Sequence, residues 1–221
     1  TALGYSTNAT GANSIAMGIQ STASGINATA MGSLTVASGT GATATGFQSV
    51  ASGDYSTATG YQSTASGVSS TAMGVVTSAA AIGSTAMGNL ATVVGAADGS
   101  FVYGDRSTAG PGNTTARITA YAPNQFLVRA AGGVGFYTNA ALTAGVTLAS
   151  GGSSWSVVSD VNMKEHFREV TDDDVLAAIA RMPVRTWSYK TQDAAIRHMG
   201  PTAQDFHAAF GLGESDTRIN T

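Results

Sequence analysis

The sequence predicts a mainly β protein: a parallel β-solenoid with fourteen-residue coils, a short β-rich neck, and a small α+β domain after it. Three observations carry this. Gly recurs every seven residues from Gly4 to Gly74. The residue before it alternates over a double period, as in Met17, Ser24, Met31, Ser38, Thr45 and Ser52. Charge is partitioned along the chain. Residues 1–104 hold no Lys, Arg or Pro and only two acids, Asp54 and Asp98, whereas residues 159–221 hold seven of the ten basic residues and ten of the thirteen acids.

The repeat occupies residues 1–104. Ala stands two positions before nearly every Gly, and Ser or Thr usually three after, as at Ser14, Ser21, Thr35, Ser49, Ser56, Ser63 and Ser70. A heptad coiled coil is excluded, because each Gly costs a helix about 1 kcal/mol relative to Ala and no large a/d pair exists. Two unlike seven-residue halves instead suit one coil built of two short strands, with Gly at backbone positions other residues avoid. Coils stacked about 4.8 Å apart would make a rod about 35 Å long from seven of them. So thin a coil admits only Ala, Ser and Thr inside. Met17, Met31, Met73, Ile19, Ile26, Phe47, Tyr61, Val68 and Val75 belong on an outer face, a patch that predicts association in a closed symmetric oligomer.

The runs Ala16–Gly25 (AMGIQSTASG) and Ala58–Gly67 (ATGYQSTASG) resemble the YadA-like head repeats of trimeric autotransporter adhesins. The resemblance implies a left-handed parallel β-roll, three chains side by side, and a surface or host-binding role. The membrane-anchor barrel of those adhesins is not seen in this sequence.

Residues 105–154 read as the neck. The repeat decays across Asp98–Gly112; strands are expected near Ile118, over 124–130, 134–137 and 145–148, and at 155–158. Gly132-Gly133-Val134-Gly135 lacks the Lys-Ser/Thr and the βαβ setting of a nucleotide loop. The sequons at Asn8, Asn27 and Asn113 read as chance matches in an Asn/Thr-rich repeat.

Residues 155–221 form the third segment. Lys164–Val170 alternates weakly, as a strand would. Thr171 followed by Asp172, Asp173 and Asp174 is a helix start rather than a calcium loop, with Thr as cap and the acids at the positive helix end. Val175, Leu176 and Ile179 share a face of a helix that ends before Pro183. Val184–Lys190 reads as a strand, and Ala203–Phe210 as a short helix. His166, His198 and His207 are too scattered for a zinc site, and no cofactor is expected.

Ser159 and Lys164 sit on the composition break. A serine hydroxyl needs a base to become a nucleophile, and a neutral lysine in a dry setting can be one. Trp155, Met163 and Phe167 are apolar neighbours able to supply that setting. Three stretches in order, 159–165 (SDVNMKE), 183–190 (PVRTWSYK) and 197–206 (RHMGPTAQDF), resemble the C-terminal intramolecular chaperone of endosialidases and related phage tail spikes and fibres. The resemblance implies a domain that trimerises, templates folding of a β-rich fibre and releases itself by cutting the Val158–Ser159 bond. Ser159 matches the nucleophile and Lys164 the general base. His198, Gly200, Gln204 and Asp205 fall in the other characteristic motif, with a folding or assembly role. That family's domain continues into a long helical part, so 155–221 is expected to be an incomplete copy.

The expected function is therefore a homotrimeric fibre, a phage tail fibre or a bacterial surface adhesin, with a self-cleaving assembly domain. Its enzymatic activity is at most that of a single-turnover serine autoprotease. The expected partner is a host-cell receptor or glycan, and the expected location a virion tail or a bacterial surface. Two alternatives stand beside it. One is a fragment of a polysaccharide-degrading tail spike with its catalytic domain upstream, since no paired carboxylates occur here. The other is an ice-binding solenoid, disfavoured because Thr is mixed with Ser, Met and Val at equivalent positions. The absence of a basic stripe speaks against nucleic acid, and that of a long apolar run against a membrane-spanning helix. The N-terminal Thr1 points to a piece of a longer chain, whose targeting is unreadable.

Overall fold

Each fourteen-residue period folds into one coil with a long strand and a short one. The computed structural model describes residues 1–107, 117–213 and 215–219; the sequon at Asn113 and the chain end at Thr221 lie outside them. Long strands such as Ile15–Ile19, Thr29–Ser33 and Thr43–Phe47 stack into a nine-stranded sheet, and short strands such as Thr22–Ala23 and Val36–Ala37 into an eight-stranded one. All neighbours in both sheets are parallel, with Ala16 opposite Ala30 and Gly18 opposite Gly32. The predicted parallel solenoid of fourteen-residue coils is thus observed.

The interior of the regular coils is small residues, and larger ones enter only near the end of the stack, at Leu90, Val93 and Val102. Ala16, Ala23, Ala30, Ala37, Ala44 and Ala51 have no exposed surface, and neither do Ser21, Thr35, Ser49 and Ser63. Buried hydroxyls favour partners, and most here have one, whereas Ser14, Ser56 and Ser70 Oγ have none among the described residues. Thr35 Oγ1 donates to Ser21 Oγ at 2.9 Å, and Ser21 Oγ to the Gly32 carbonyl at 3.0 Å; Thr77, Ser63 and Gly74 repeat the arrangement. The large side chains expected outside are outside: Met17, Ile19, Met31, Phe47, Tyr61, Met73 and Val75 are all exposed. They lie on the outer face of the long-strand sheet, where Phe47 and Tyr61 stack at 5.4 Å. One detail differs from expectation. Thr29, Thr43, Thr57, Thr71 and Thr85 form an unbroken column, while the column beside it mixes Met31, Thr45, Thr59 and Met73.

The periodic glycines do two jobs. The Gly18, Gly32, Gly60 and Gly74 column lies within the long strands at φ between +112° and +131°. The Gly25, Gly39 and Gly53 column has ordinary φ, yet a Cβ there would lie 2.0–2.1 Å from the carbonyl oxygen of the next coil's glycine. The left-handed turn residues are others: Gln20, Leu34, Gln48 and Gln62 at one corner, Asn13, Asn27, Tyr55 and Ser69 at the other. Apart from Asn13, their N–H groups continue the ladder to the preceding coil, as from Gln48 to the Ser33 carbonyl at 2.9 Å. This offsets the cost of the left-handed conformation, roughly 1–3 kcal/mol for a non-glycine residue. Asp54 and Asp98 serve the same stacking, accepting the N–H of Thr40 and Ile82 respectively.

The stack continues beyond Gly104. Phe101–Gly104 pairs with Phe126–Arg129, and Ala91–Val93 with Ile118–Ala120, so the two sheets run to Arg129 across the segment expected to be neck. Sequence periodicity misses this because the register steps lengthen, from fourteen residues to Thr85 opposite Phe101 and then Phe101 opposite Phe126. The last coil is tied by Asp105. Arg129 Nε donates to Asp105 Oδ1 at 3.0 Å, the Ala131 N–H donates to Oδ2, and Arg129 Nη2 donates to the Asn89 carbonyl. The Ser107 hydroxyl, the Ala131 N–H and the Arg129 guanidinium hold this carboxyl well below the usual carboxylate range. A lowered folded pKa contributes stability that is present above the unfolded value, about 3.9, and lost as pH falls through the lower folded one. Asp105→Ala should therefore destabilise the solenoid by about 1–3 kcal/mol at pH 7 and by less at pH 3, in urea unfolding. An equal loss at both pH values would remove the assigned role.

After the solenoid, Gly133–Tyr137, Gly145–Ala149 and Ser156–Val157 form a three-stranded antiparallel sheet, with Phe136 against Trp155 at 5.6 Å. The chain divides into two compact units, Thr1–Val158 and Ser159–Thr221. The second holds helices α1 (Asp172–Arg181) and α2 (Ala203–Phe210), which touch, and a two-stranded antiparallel sheet of Arg185–Trp187 with His198–Gly200. Thr171 caps α1 by accepting the Asp174 N–H, as its sequence predicts. The strand expected over Lys164–Val170 is not formed; among the described residues no strand pairs with it.

Candidate active site

Ser159 opens the second unit, and the residues after it fold back at once. Asp160 caps a single 3-10 turn, Val161–Met163, its Oδ1 accepting the Asn162 N–H at 2.9 Å and the Asn162 side-chain amide at 2.8 Å. The Lys164 N–H closes the turn on the Val161 carbonyl at 3.2 Å. Such short side-chain-to-backbone bonds are what Asp and Asn supply in turns. The reversal brings Lys164 Nζ to 2.6 Å from Ser159 Oγ, as a donor to that oxygen. A hydroxyl and an amine at this distance can exchange a proton directly, which is the geometry of a nucleophile and its base.

The dry setting expected around the pair is not built by the expected side chains. Met163 is 52% exposed and Phe167 69%, and Trp155 packs on Phe136 in the first unit. Apolar neighbours in sequence do not bury a site unless the chain folds them over it, and the 3-10 turn instead points this stretch into solvent.

The second motif forms a separate cluster. His198 pairs with Trp187 across the small sheet, its ring stacked on the indole at 4.7 Å and set edge-on to Tyr189 at 5.3 Å. His198 Nε2 lies 2.9 Å from Gln192 Oε1. Asp205 and Thr202 make a reciprocal capping box on α2, each side chain bonded to the other's backbone N–H. Asp205 also accepts from Arg185 Nη1 at 3.1 Å, tying α2 to the sheet. The Thr202 hydroxyl and N–H, then Arg185, hold the Asp205 carboxyl below the usual carboxylate range. Gly200 is the sheet partner of Arg185, with open space where a Cβ would stand, and Gln204 is exposed on α2. Among the described residues no hydrogen bond or ion pair links this cluster to Ser159 or Lys164. Sequence reading missed Arg185 and Thr202, although Thr202-x-x-Asp205 has capping-box spacing.

Among the described residues, no group of three or more His, Cys, Asp or Glu could hold a metal ion, and no helix is long and apolar enough to cross a membrane.

Comparison with known families agrees with this division. The YadA head domain repeat matches residues 1–18, 9–35, 37–63 and 65–91, and the chaperone of endosialidase matches residues 159–211. No curated protein matches the chain. The second match begins at Ser159, where the second compact unit also begins. The chain thus carries YadA head domain repeats over residues 1–91, followed by a chaperone-of-endosialidase domain over residues 159–211.

Proposed function

We propose that the chain is part of a homotrimeric attachment fibre, of a phage tail or a bacterial surface, whose C-terminal domain drives assembly and then cuts itself away at Val158–Ser159. The observation that carries the cut is the 2.6 Å contact between Lys164 Nζ and Ser159 Oγ. Lys164 takes the hydroxyl proton as Oγ attacks the Val158 carbonyl carbon. That proton passes to the departing Ser159 nitrogen, leaving an ester between Val158 and Ser159 Oγ. Water then hydrolyses the ester to a Val158 carboxylate and restores the Ser159 hydroxyl, now beside a free amino terminus. The cut occurs once per chain, and removing the template makes the assembled fibre kinetically hard to unfold.

The two domain families support a trimeric fibre or adhesin with a chaperone domain. The seam of the trimer is the apolar outer face of the long-strand sheet, with Leu3, Met17, Ile19, Met31, Phe47 and Met73 left in solvent by a single chain. Such a stripe calls for a closed symmetric partner arrangement. His198, Gly200, Gln204 and Asp205 act in folding and assembly of the chaperone, where Asp205 joins α2 to the sheet.

Intact mass and a sizing run on the purified full chain test both parts. Two fragments meeting between Val158 and Ser159, with the larger one trimeric, are expected. A monomeric, uncut chain would sink the proposal.

A further inference from the structure

We infer that the outer face of the short-strand sheet carries a binding site for an acidic saccharide, centred on Arg117; this rests on the attachment-fibre reading above. Residues 1–105 contain no Lys or Arg. Arg117 is therefore an isolated cation on a nearly uncharged surface, and among the described residues it forms no salt bridge. Its Nη1 donates to the Val76 carbonyl at 3.1 Å and to Thr92 Oγ1 at 3.0 Å, which fixes the side chain across two coils. No described residue engages Nε or Nη2.

The guanidinium borders an open groove of about 330 Å³, lined also by Gln62, Thr64, Val76, Ser78 and Thr92. Thr64, Ser78 and Thr92 are successive rungs of one column, one strand spacing apart or about 4.8 Å. On the two coils before them the column holds Val36 and Val50. The run of hydroxyls thus begins where the groove does.

This donor set selects its ligand. A guanidinium fork can hold a planar carboxylate through two parallel N–H donors. The hydroxyl rungs and the Gln62 amide offer mixed donors and acceptors, as sugar hydroxyls require. Val76 supplies an apolar contact for a ring face, the usual pairing of few polar groups with apolar lining. A polyanion read by phosphates would need several cations, and only one is here. The apolar stripe lies on the other sheet, so a trimer seam there leaves this groove open to solvent.

The test is calorimetric titration of the full chain with tri-galacturonate, its neutral methyl ester, and inorganic phosphate. Tri-galacturonate should bind, and the ester and the Arg117→Gln protein should each weaken binding about tenfold or more. Arg117→Lys should fall between, having charge without the fork. Ser78→Val places in the groove a residue its column already tolerates, so the coil stays folded while binding weakens. Phosphate should not compete. Undiminished binding in Arg117→Gln and Ser78→Val, an ester as tight as the acid, competition by phosphate, or no binding of tri-galacturonate would each overturn the site. Should Arg117→Gln melt earlier than the parent, Ser78→Val decides. Sizing and mass on the same samples separate the failures: a cut trimer that ignores the saccharide loses only this site, whereas an uncut monomer loses the fibre reading.

Discussion

Ser159→Ala should leave a single uncut chain on a denaturing gel where the parent gives two fragments. The substitution removes one oxygen from an exposed position, so the 3-10 turn capped by Asp160 should persist. What disappears is the hydroxyl that lies 2.6 Å from Lys164 Nζ, the nucleophile of the proposed cut. Loss of a serine nucleophile lowers rates by roughly 10⁶-fold in well-studied hydrolases, which here means no cut within any practical incubation. Lys164→Met keeps the length of the side chain but not the base, and should slow cleavage by about 10²–10⁴-fold. A fragment beginning at residue 159 in the Ser159→Ala protein would rule out the mechanism. If both variants cut at the parental rate, an external protease is responsible.

Gly60→Ala should cost the solenoid more than about 4 kcal/mol and split the stack at that coil. A Cβ at Gly60 would lie 2.0 Å from the Gly74 carbonyl oxygen and 3.0 Å from its carbon, and the backbone there has φ +121°. Neither obstacle is a side chain that could swing aside. Effects of this size arise only from a few causes, of which strain at a special φ is one. Gly83→Ala is the control. Its φ is +61°, a left-handed value that L-residues reach at about 1–2 kcal/mol, and nothing lies within 4 Å of the added carbon. Thermal melts followed by circular dichroism should separate the two widely. Equal midpoints would mean that coil spacing is looser than the register implies.

The solenoid was legible because its constraints are periodic. Ala16, Gly18 and Ser21 recur at the same phase since one thin interior and one close backbone approach repeat in every coil. The turns were less legible. Leu34, Gln48 and Tyr55 adopt left-handed φ although none is a turn former, because the ladder bonds through their N–H groups outweigh local preference. The coil that ends at Arg129 was hidden for another reason: the excursions before Ile118 and Phe126 differ in length, and a period can be read only where lengths repeat. In the second unit the Thr171 cap was visible as a local signal. The Arg185–Asp205 tie was not, because it joins residues far apart in sequence. Ser159 and Lys164 were paired through the resemblance of the stretches around them to a known domain, whereas the exposure of Met163 and Phe167 depends on how the whole chain folds.

The fixed register makes the length of this rod a quantity that heredity can change in whole steps. The strand register of the regular coils sets each residue against its counterpart one coil away, as with Thr57 and Thr71 or Gly60 and Gly74. Loss of residues 57–70 would set Thr71 against Thr43 and Gly74 against Gly46, like facing like, with every hydroxyl and glycine column intact. Loss of seven residues would instead set long strands against short ones, and the chain would have no way to close. Recombination between near-identical repeats can therefore lengthen or shorten the shaft without inventing a new contact, provided that it keeps to whole coils. The length of the solenoid can drift in this way, and a site survives wherever the coils that carry it are kept.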